Sequence, residues 1–211
     1  MDDCRSILVD GIETLNLSLD EDKIEKMLAF INLIEKWNKA YNLTAIKNKP
    51  EMVRLHLLDS LTVLPYIKGH RIIDIGTGAG LPGIPLAICL PQLAFTLLDS
   101  NAKKTRFVQQ AVLELKLSNI QIVNSRVEDF KPEQRYELVL TRAFAELAEI
   151  MKLTRHLLAE NGMLLAMKGH CTDTEFEQYK DQATIIPVHV PHVEAERNLI
   201  CIGLNNEHIN G

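Results

Sequence analysis

A chain of 211 residues, 46% hydrophobic and 24% charged, can bury one large core without disulfides or structural metals, which excludes a minimal peptide and a disordered chain. Its net charge of −5, from 23 Lys and Arg against 28 Asp and Glu, excludes a protein that coats nucleic acid over its whole surface and allows only a local basic face. The apolar runs are shorter than the ~20 residues that span a bilayer, the N-terminus opens on Asp2 and Asp3, and Cys4, Cys89, Cys171 and Cys201 stand apart without zinc spacing. The expectation is therefore a cytoplasmic monomer with reduced thiols, no metal and no membrane partner.

Residues 1–68 are expected to form a helical extension. Ile7 to Leu15 predicts a short helix. Ser18-Leu19-Asp20-Glu21 has capping-box spacing, and Ile24, Met27, Leu28, Ile31, Ile34 and Trp37 then recur at helical spacing to about Lys39. An irregular stretch runs to Pro50, and Glu51 to Leu64 predicts another helix that Pro65 closes.

Residues 69–211 follow a different pattern, in which short aliphatic runs alternate with helical ones. Strands are predicted at Arg71 to Ile75, Ala94 to Leu98, Ile120 to Asn124, Tyr136 to Thr141 and Met163 to Met167. Helices are predicted at Pro82 to Leu90, Lys103 to Leu117, Ala145 to Ala159 and Thr174 to Asp181. The alternation defines an α/β fold of βαβ units, with a mostly parallel sheet covered by helices on both faces. Two closing strands, Ile185 to Val190 and Leu199 to Leu204, are joined by about eight residues, too few for a parallel crossover, so they are expected to pair antiparallel.

The most informative stretch is Asp74-Ile75-Gly76-Thr77-Gly78-Ala79-Gly80-Leu81-Pro82-Gly83, at the junction of the first strand and the next helix. Glycines there let backbone N–H groups approach a ligand closely. Gly78 to Gly83 spells G-x-G-x-x-G, the dinucleotide fingerprint, but that fingerprint should begin at the glycine ending the strand, Gly76, and its third glycine would then fall on Leu81. The alternative, Asp74-x-Gly76-x-Gly78-x-Gly80, suits S-adenosylmethionine, whose sulfonium and amino group are cationic and favoured by a carboxylate. Asp99, ending the second strand, is placed to accept from ribose hydroxyls, a feature that NAD enzymes share. After the third strand, Asn124 to Phe130 offers an amide and a carboxylate to bracket an adenine. Arg142, after the fourth, is a candidate contact to cofactor or to substrate phosphate and the one candidate with a possible catalytic part.

These residues carry a likeness. Trp37-Asn38 with Asn42-Leu43-Thr44, His56-Leu57-Leu58-Asp59-Ser60-Leu61, Asp74 to Pro85, Leu97 to Ser100, Ser125-Arg126-Val127-Glu128, Thr141 to Ala145 and Lys168-Gly169 occur in one consistent order. Over residues 37–169 the chain resembles the bacterial small-subunit ribosomal RNA methyltransferase G family, also called glucose-inhibited division protein B. The resemblance implies a class I S-adenosylmethionine-dependent methyltransferase core of seven strands behind an N-terminal helical extension. It implies cofactor contacts at Gly76, Leu81, Val127, Glu128 and Arg142, with Asp99 fitting the ribose role. As activity it implies methylation of a guanine N7 in the decoding region of 16S rRNA. Ala79, often proline in such relatives, and Thr141, often serine, depart from the pattern without removing a needed group.

Guanine N7 carries an in-plane lone pair and no proton, so attack on the methyl group needs positioning and no general base. His56, beside apolar neighbours on a predicted helix, is expected to pack or hydrogen-bond. RNA contacts are expected from Lys103, Lys104 and Arg106 at a helix start, from Arg126 and Arg142 on the loops, and from Lys168 with His170 after the fifth strand. The rRNA or the assembled small subunit is the expected partner. The residues alone leave open an NAD-dependent oxidoreductase, a non-catalytic S-adenosylmethionine-binding assembly factor and a methyltransferase for another substrate.

Overall fold

The computed structural model describes residues 3–142, 146–169, 179 and 181–204. Among them a seven-stranded sheet has the order β3-β2-β1-β4-β5-β7-β6. The strands are β1 (Arg71–Ile75), β2 (Ala94–Asp99), β3 (Ile120–Asn124), β4 (Tyr136–Arg142), β5 (Leu158–Lys168), β6 (Ala183–Pro187) and β7 (Asn198–Gly203). The first five run parallel, and β7 lies antiparallel between β5 and β6. The closing strands thus pair as expected. Strand order reverses between β1 and β4, the switch point at which open α/β sheets bind ligands beyond their carboxyl ends.

Side chains alternate across the sheet. Ile72, Phe95, Leu97, Leu138, Leu140 and Leu165 join one core cluster, while Ile73, Leu98, Val139, Leu164 and Ile200 join the other. Helix α7 (Leu147–Thr154) covers the second face through Leu147 and Ile150. The first face receives α5 (Gly83–Cys89) and α6 (Ala102–Glu114), and with them the apolar side of residues 3–66. Helices α1 (Asp3–Thr14) and α2 (Glu21–Tyr41) put Leu8, Met27, Phe30 and Ile34 into that same cluster, and Phe30 stacks on Phe107 with centroids 6.3 Å apart. The helical extension and the sheet therefore share one core.

Several boundaries move, each for a local reason. Helix α2 is capped by Asp20, whose carboxylate accepts from the Lys23 amide at 2.9 Å, so the Ser18 box gives way to a cap two residues later; Asn42 in the left-handed region (φ 50°) ends it. The helix predicted from Glu51 is composite. It opens at α3 (Lys49–Met52), capped by Asn48, widens into a π-helical turn (Val53–Leu58) and continues as α4 (Asp59–Leu61). Pro65 sits inside a following 3₁₀ turn (Leu64–Tyr66) instead of closing the helix. Helix α7 stops at Thr154, whose hydroxyl bonds back to the Ile150 carbonyl, because Leu158 is already paired with Tyr136 of β4. The predicted helix from Thr174 lies, apart from Tyr179 and Asp181, outside the described residues, as do Ala143, Phe144, Ala145, His170 and Cys171.

Candidate active site

The glycine loop bends at positive φ at Gly76 (66°), Gly78 (60°) and Gly80 (83°), a region that side-chain-bearing residues rarely adopt. Its start is tied to β2, since the Gly76 and Thr77 amides both donate to the Leu98 carbonyl, at 2.9 and 3.1 Å. A Cβ on Gly78 would meet nothing nearer than the Gly76 carbonyl at 3.8 Å, so the backbone there is bare on its open side. Gly80 and Leu81 are buried, and Leu81 belongs to the core.

Asp74 lies beneath this loop with no exposed surface. Its Oδ2 accepts from the Thr77 hydroxyl at 2.7 Å and from the Gly83 amide at 3.0 Å, which staples loop to helix α5. Its Oδ1 is buried with no partner among the described residues. Burial pushes the carboxyl up to about 6, against the pull of the Thr77 and Gly83 bonds. In this geometry Asp74 supports the loop from beneath.

Beyond the carboxyl ends of β1, β2 and β4 lies a cavity of about 450 Å³. Gly76, Asp99, Lys104, Arg126, Val127, Glu128 and Arg142 line it, along with Glu149 and Leu153 of α7. Asp99, 7% exposed, braces the site from within: Oδ2 accepts from the Gly78 amide at 2.9 Å and Oδ1 from the Asn101 amide at 2.8 Å. Asn124 donates to the Asp99 carbonyl at 2.9 Å, fixing the end of β3 against β2. Carboxylates and cations thus line one cleft. A larger cavity of about 520 Å³, between Arg71, Asn119 and Tyr136, opens at the opposite edge of the sheet, away from the switch point.

A second cavity, about 400 Å³, adjoins the first through Arg142, which lines both. Ile46, Leu55, His56 and Asp59 of the helical extension form one wall, and Met167, Lys168, Gly169 and Arg197 the other. The neutral His56 ring donates from Nδ1 to the Leu55 carbonyl at 3.1 Å and accepts the Thr44 hydroxyl at Nε2, 3.0 Å away. Burial, and secondarily the Arg142 charge, pushes its pKa down to about 4. Asn38 holds Thr44 in turn, donating to its carbonyl at 3.0 Å and accepting from its amide at 2.9 Å.

Of the residues expected to bind RNA, Lys103, Arg106 and Arg126 are exposed, Lys168 is half-buried at the second cavity, and Lys104 turns into the first. Lys103 and Lys104 follow the α6 cap, where Asn101 accepts from both their amides. Sequence reasoning missed Asp59 and Arg197. Asp59 sits in the His56 to Leu61 motif, a signal that was available, whereas nothing in the local pattern singles out Arg197. Cys4, Cys89 and Cys201 are free thiols, and burial raises Cys89 to about 12 and Cys201 to about 11. No helix among the described residues is long and apolar enough to cross a membrane.

A mostly parallel seven-stranded sheet with one antiparallel strand, carrying a glycine loop braced by a carboxylate at its switch point, defines a class I S-adenosylmethionine-dependent methyltransferase. The plantazolicin methyltransferase BpumL in complex with SAH shares the fold at a TM-score of 0.55 and 14% identity, over 88% of this chain and 99% of that one. Residues 23–200 match the family model described as GidB, rRNA small subunit methyltransferase G. The chain belongs to that family. It is 48% identical to the ribosomal RNA small subunit methyltransferase G of Methylobacillus flagellatus, over 90% of this chain and 93% of the relative, and 46% identical to that of Nitrosococcus oceani, over 92% of each.

Proposed function

We propose that the chain, acting as a cytoplasmic monomer, methylates N7 of a guanine in the decoding-region loop of 16S rRNA. The observation that carries this reading is the pair of cavities sharing Arg142, one suited to a methyl donor and the other open to an acceptor base. The residues present fit S-adenosylmethionine: the bare backbone at Gly78 leaves room that a Cβ would fill, and acidic groups stand beside cationic ones as a zwitterionic ligand with a sulfonium requires. Gly76 and Gly78 would hold it along the loop, Asp99 at the ribose, Val127 and Glu128 at the adenine, and Arg142 at the amino-acid end. Leu81 supports the loop from the core, and Gly80 permits its turn. When bound, the group supplies a methyl carbon attached to a positively charged sulfur.

The protein's own part is orientation and exclusion of water. N7 has no proton to lose, and among the described residues the one histidine lining the second cavity, His56, is neutral and committed to Thr44 and Leu55, which fits chemistry without a general base. Lys103 and Arg106 near the start of α6, Arg126 at the first cavity and Lys168 at the second would draw the RNA by its phosphates. The test is tritiated methyl transfer from S-adenosylmethionine to unmodified 16S rRNA and to small subunits, with mapping of the product. Label on one decoding-region guanine at N7 supports the reading; no incorporation, or label at an exocyclic amine, refutes it.

A further inference from the structure

The second cavity contains an arrangement that the methyltransferase core does not supply by itself. Asp59 belongs to the helical extension, Arg142 to the end of β4, and Arg197 to the residue before β7. One carboxylate joins them: Oδ2 lies 3.3 Å from Arg142 Nη1 and Oδ1 lies 3.0 Å from Arg197 Nε. The Asp59 side chain is only 7% exposed, whereas the guanidinium-bearing side chains, at 25% and 28%, reach out to the cavity. Arg142 Nη1 also donates to the Leu55 carbonyl at 3.3 Å, in the π-helical turn that precedes Asp59. Such turns concentrate at functional sites. Two like charges converge on one cavity, and the buried carboxylate between them is what makes that convergence tolerable.

We propose that Asp59 is a positioning residue for the acceptor base: it holds the Arg142 and Arg197 guanidinium groups at the wall of the second cavity, where their N–H donors meet the O6 edge of guanine. This rests on the methyltransferase reading above and deepens it. Guanine presents acceptors at O6 and N7, and adenine replaces O6 with an amino donor, so a wall of fixed donors favours guanine. Each oxygen of the carboxylate serves a different arginine. An asparagine has one acceptor oxygen and one donor nitrogen, so it can serve only one of them.

The test compares wild type, Asp59→Asn, Asp59→Glu, Arg197→Gln and the double variant Asp59→Asn with Arg197→Gln, in steady-state methyl transfer to small subunits and in calorimetric titration with S-adenosylmethionine. Asp59→Asn is expected to lower kcat at least tenfold while KM for the subunit stays within threefold, and Kd for S-adenosylmethionine rises by less than kcat falls, since Arg142 is one of several cofactor contacts. Asp59→Glu recovers part of kcat. The double variant is no slower than about threefold below the worse single variant, because both substitutions break one unit. If kcat of Asp59→Asn stays within twofold of wild type, or the two losses multiply, the inference fails. If Asp59→Asn does not fold, the comparison of Arg197→Gln with Asp59→Glu decides, and equal wild-type-like kcat in both overturns it. Wild type that transfers no methyl group overturns the proposed function and this inference with it, an outcome distinct from an active wild type with an equally active Asp59→Asn.

Discussion

Asp74→Asn removes a buried charge while leaving an oxygen to accept from Thr77 and Gly83, so it separates the cost of that charge from the value of the two hydrogen bonds. Burial holds the Asp74 carboxyl at about 6 against an ordinary 3.8. The folded state therefore binds this proton more tightly than the unfolded state. Its contribution is fully present below about pH 4 and is lost as pH rises through about 6, then stays constant. A shift of about two units corresponds to about 3 kcal/mol. Asparagine does not titrate, and its nitrogen would occupy the place of the partnerless Oδ1. The variant is expected to be more stable than wild type by about 1–3 kcal/mol at pH 7.5, a rise of roughly 3–10 °C in Tm, with the advantage vanishing toward pH 4. His56 has the opposite dependence, since its depressed pKa makes the fold lose stability as pH falls below about 6.5 toward 4, but it contributes equally to both proteins and cancels in the difference. Urea unfolding at pH 4, 6 and 7.5 measures this. A stability difference that is flat with pH, or a variant less stable at pH 7.5, refutes the account of Asp74 as a desolvated loop support.

Other substitutions test the loop and the RNA face. Gly78→Ala finds room for its methyl group but must hold φ of 60°, so it is expected to cost only about 1–2 kcal/mol of stability and yet weaken S-adenosylmethionine at least tenfold by calorimetry, because the methyl group covers the bare backbone. Gly83→Ala places a Cβ against Leu97 and 2.8 Å from Asp74 Oδ2, and is expected to lower stability by about 2 kcal/mol or more in thermal unfolding. Lys103→Glu with Arg106→Glu should weaken rRNA binding and reduce the slope of log K against log salt by about 2 in filter binding, with S-adenosylmethionine affinity unchanged. Lys104 is left out because it lines the cleft. Methyl transfer should fall as pH drops from 6.5 toward 4, as His56 gains a proton, loses its bond from Thr44 and adds its charge to those of Arg142, Lys168 and Arg197 around the second cavity; a flat rate across that range argues against His56 as a neutral strut.

Much of this molecule was legible in its residues. RIIDI and IQIVN appear as strands with the bounds that their aliphatic runs predict, RIIDI because a strand buried on both faces is a nearly continuous apolar run, and IQIVN, at the edge of the sheet, because β-branched residues alternate along it. The glycine spacing identified the bend after β1, because residues without a Cβ are the ones that readily take positive φ. Boundaries set by partners distant in sequence were not legible. The start of β5 at Leu158 follows from Tyr136, and the π-helical turn at Val53–Leu58 follows no local signal. The depth of Asp74 also escaped, since a carboxylate one residue from a strand end can point toward a ligand or beneath the loop, and the packing of α5 decides which. The same holds for the acceptor side. Asp59, Arg142 and Arg197 are 83 and 138 residues apart along the chain, as counted from Asp59, and meet only because the helical extension shares a core with the sheet. Periodicity and turn chemistry are properties of neighbouring residues and can be read along a line, whereas the pairing of one carboxylate with two cations depends on where whole elements pack, which only the tertiary fold determines.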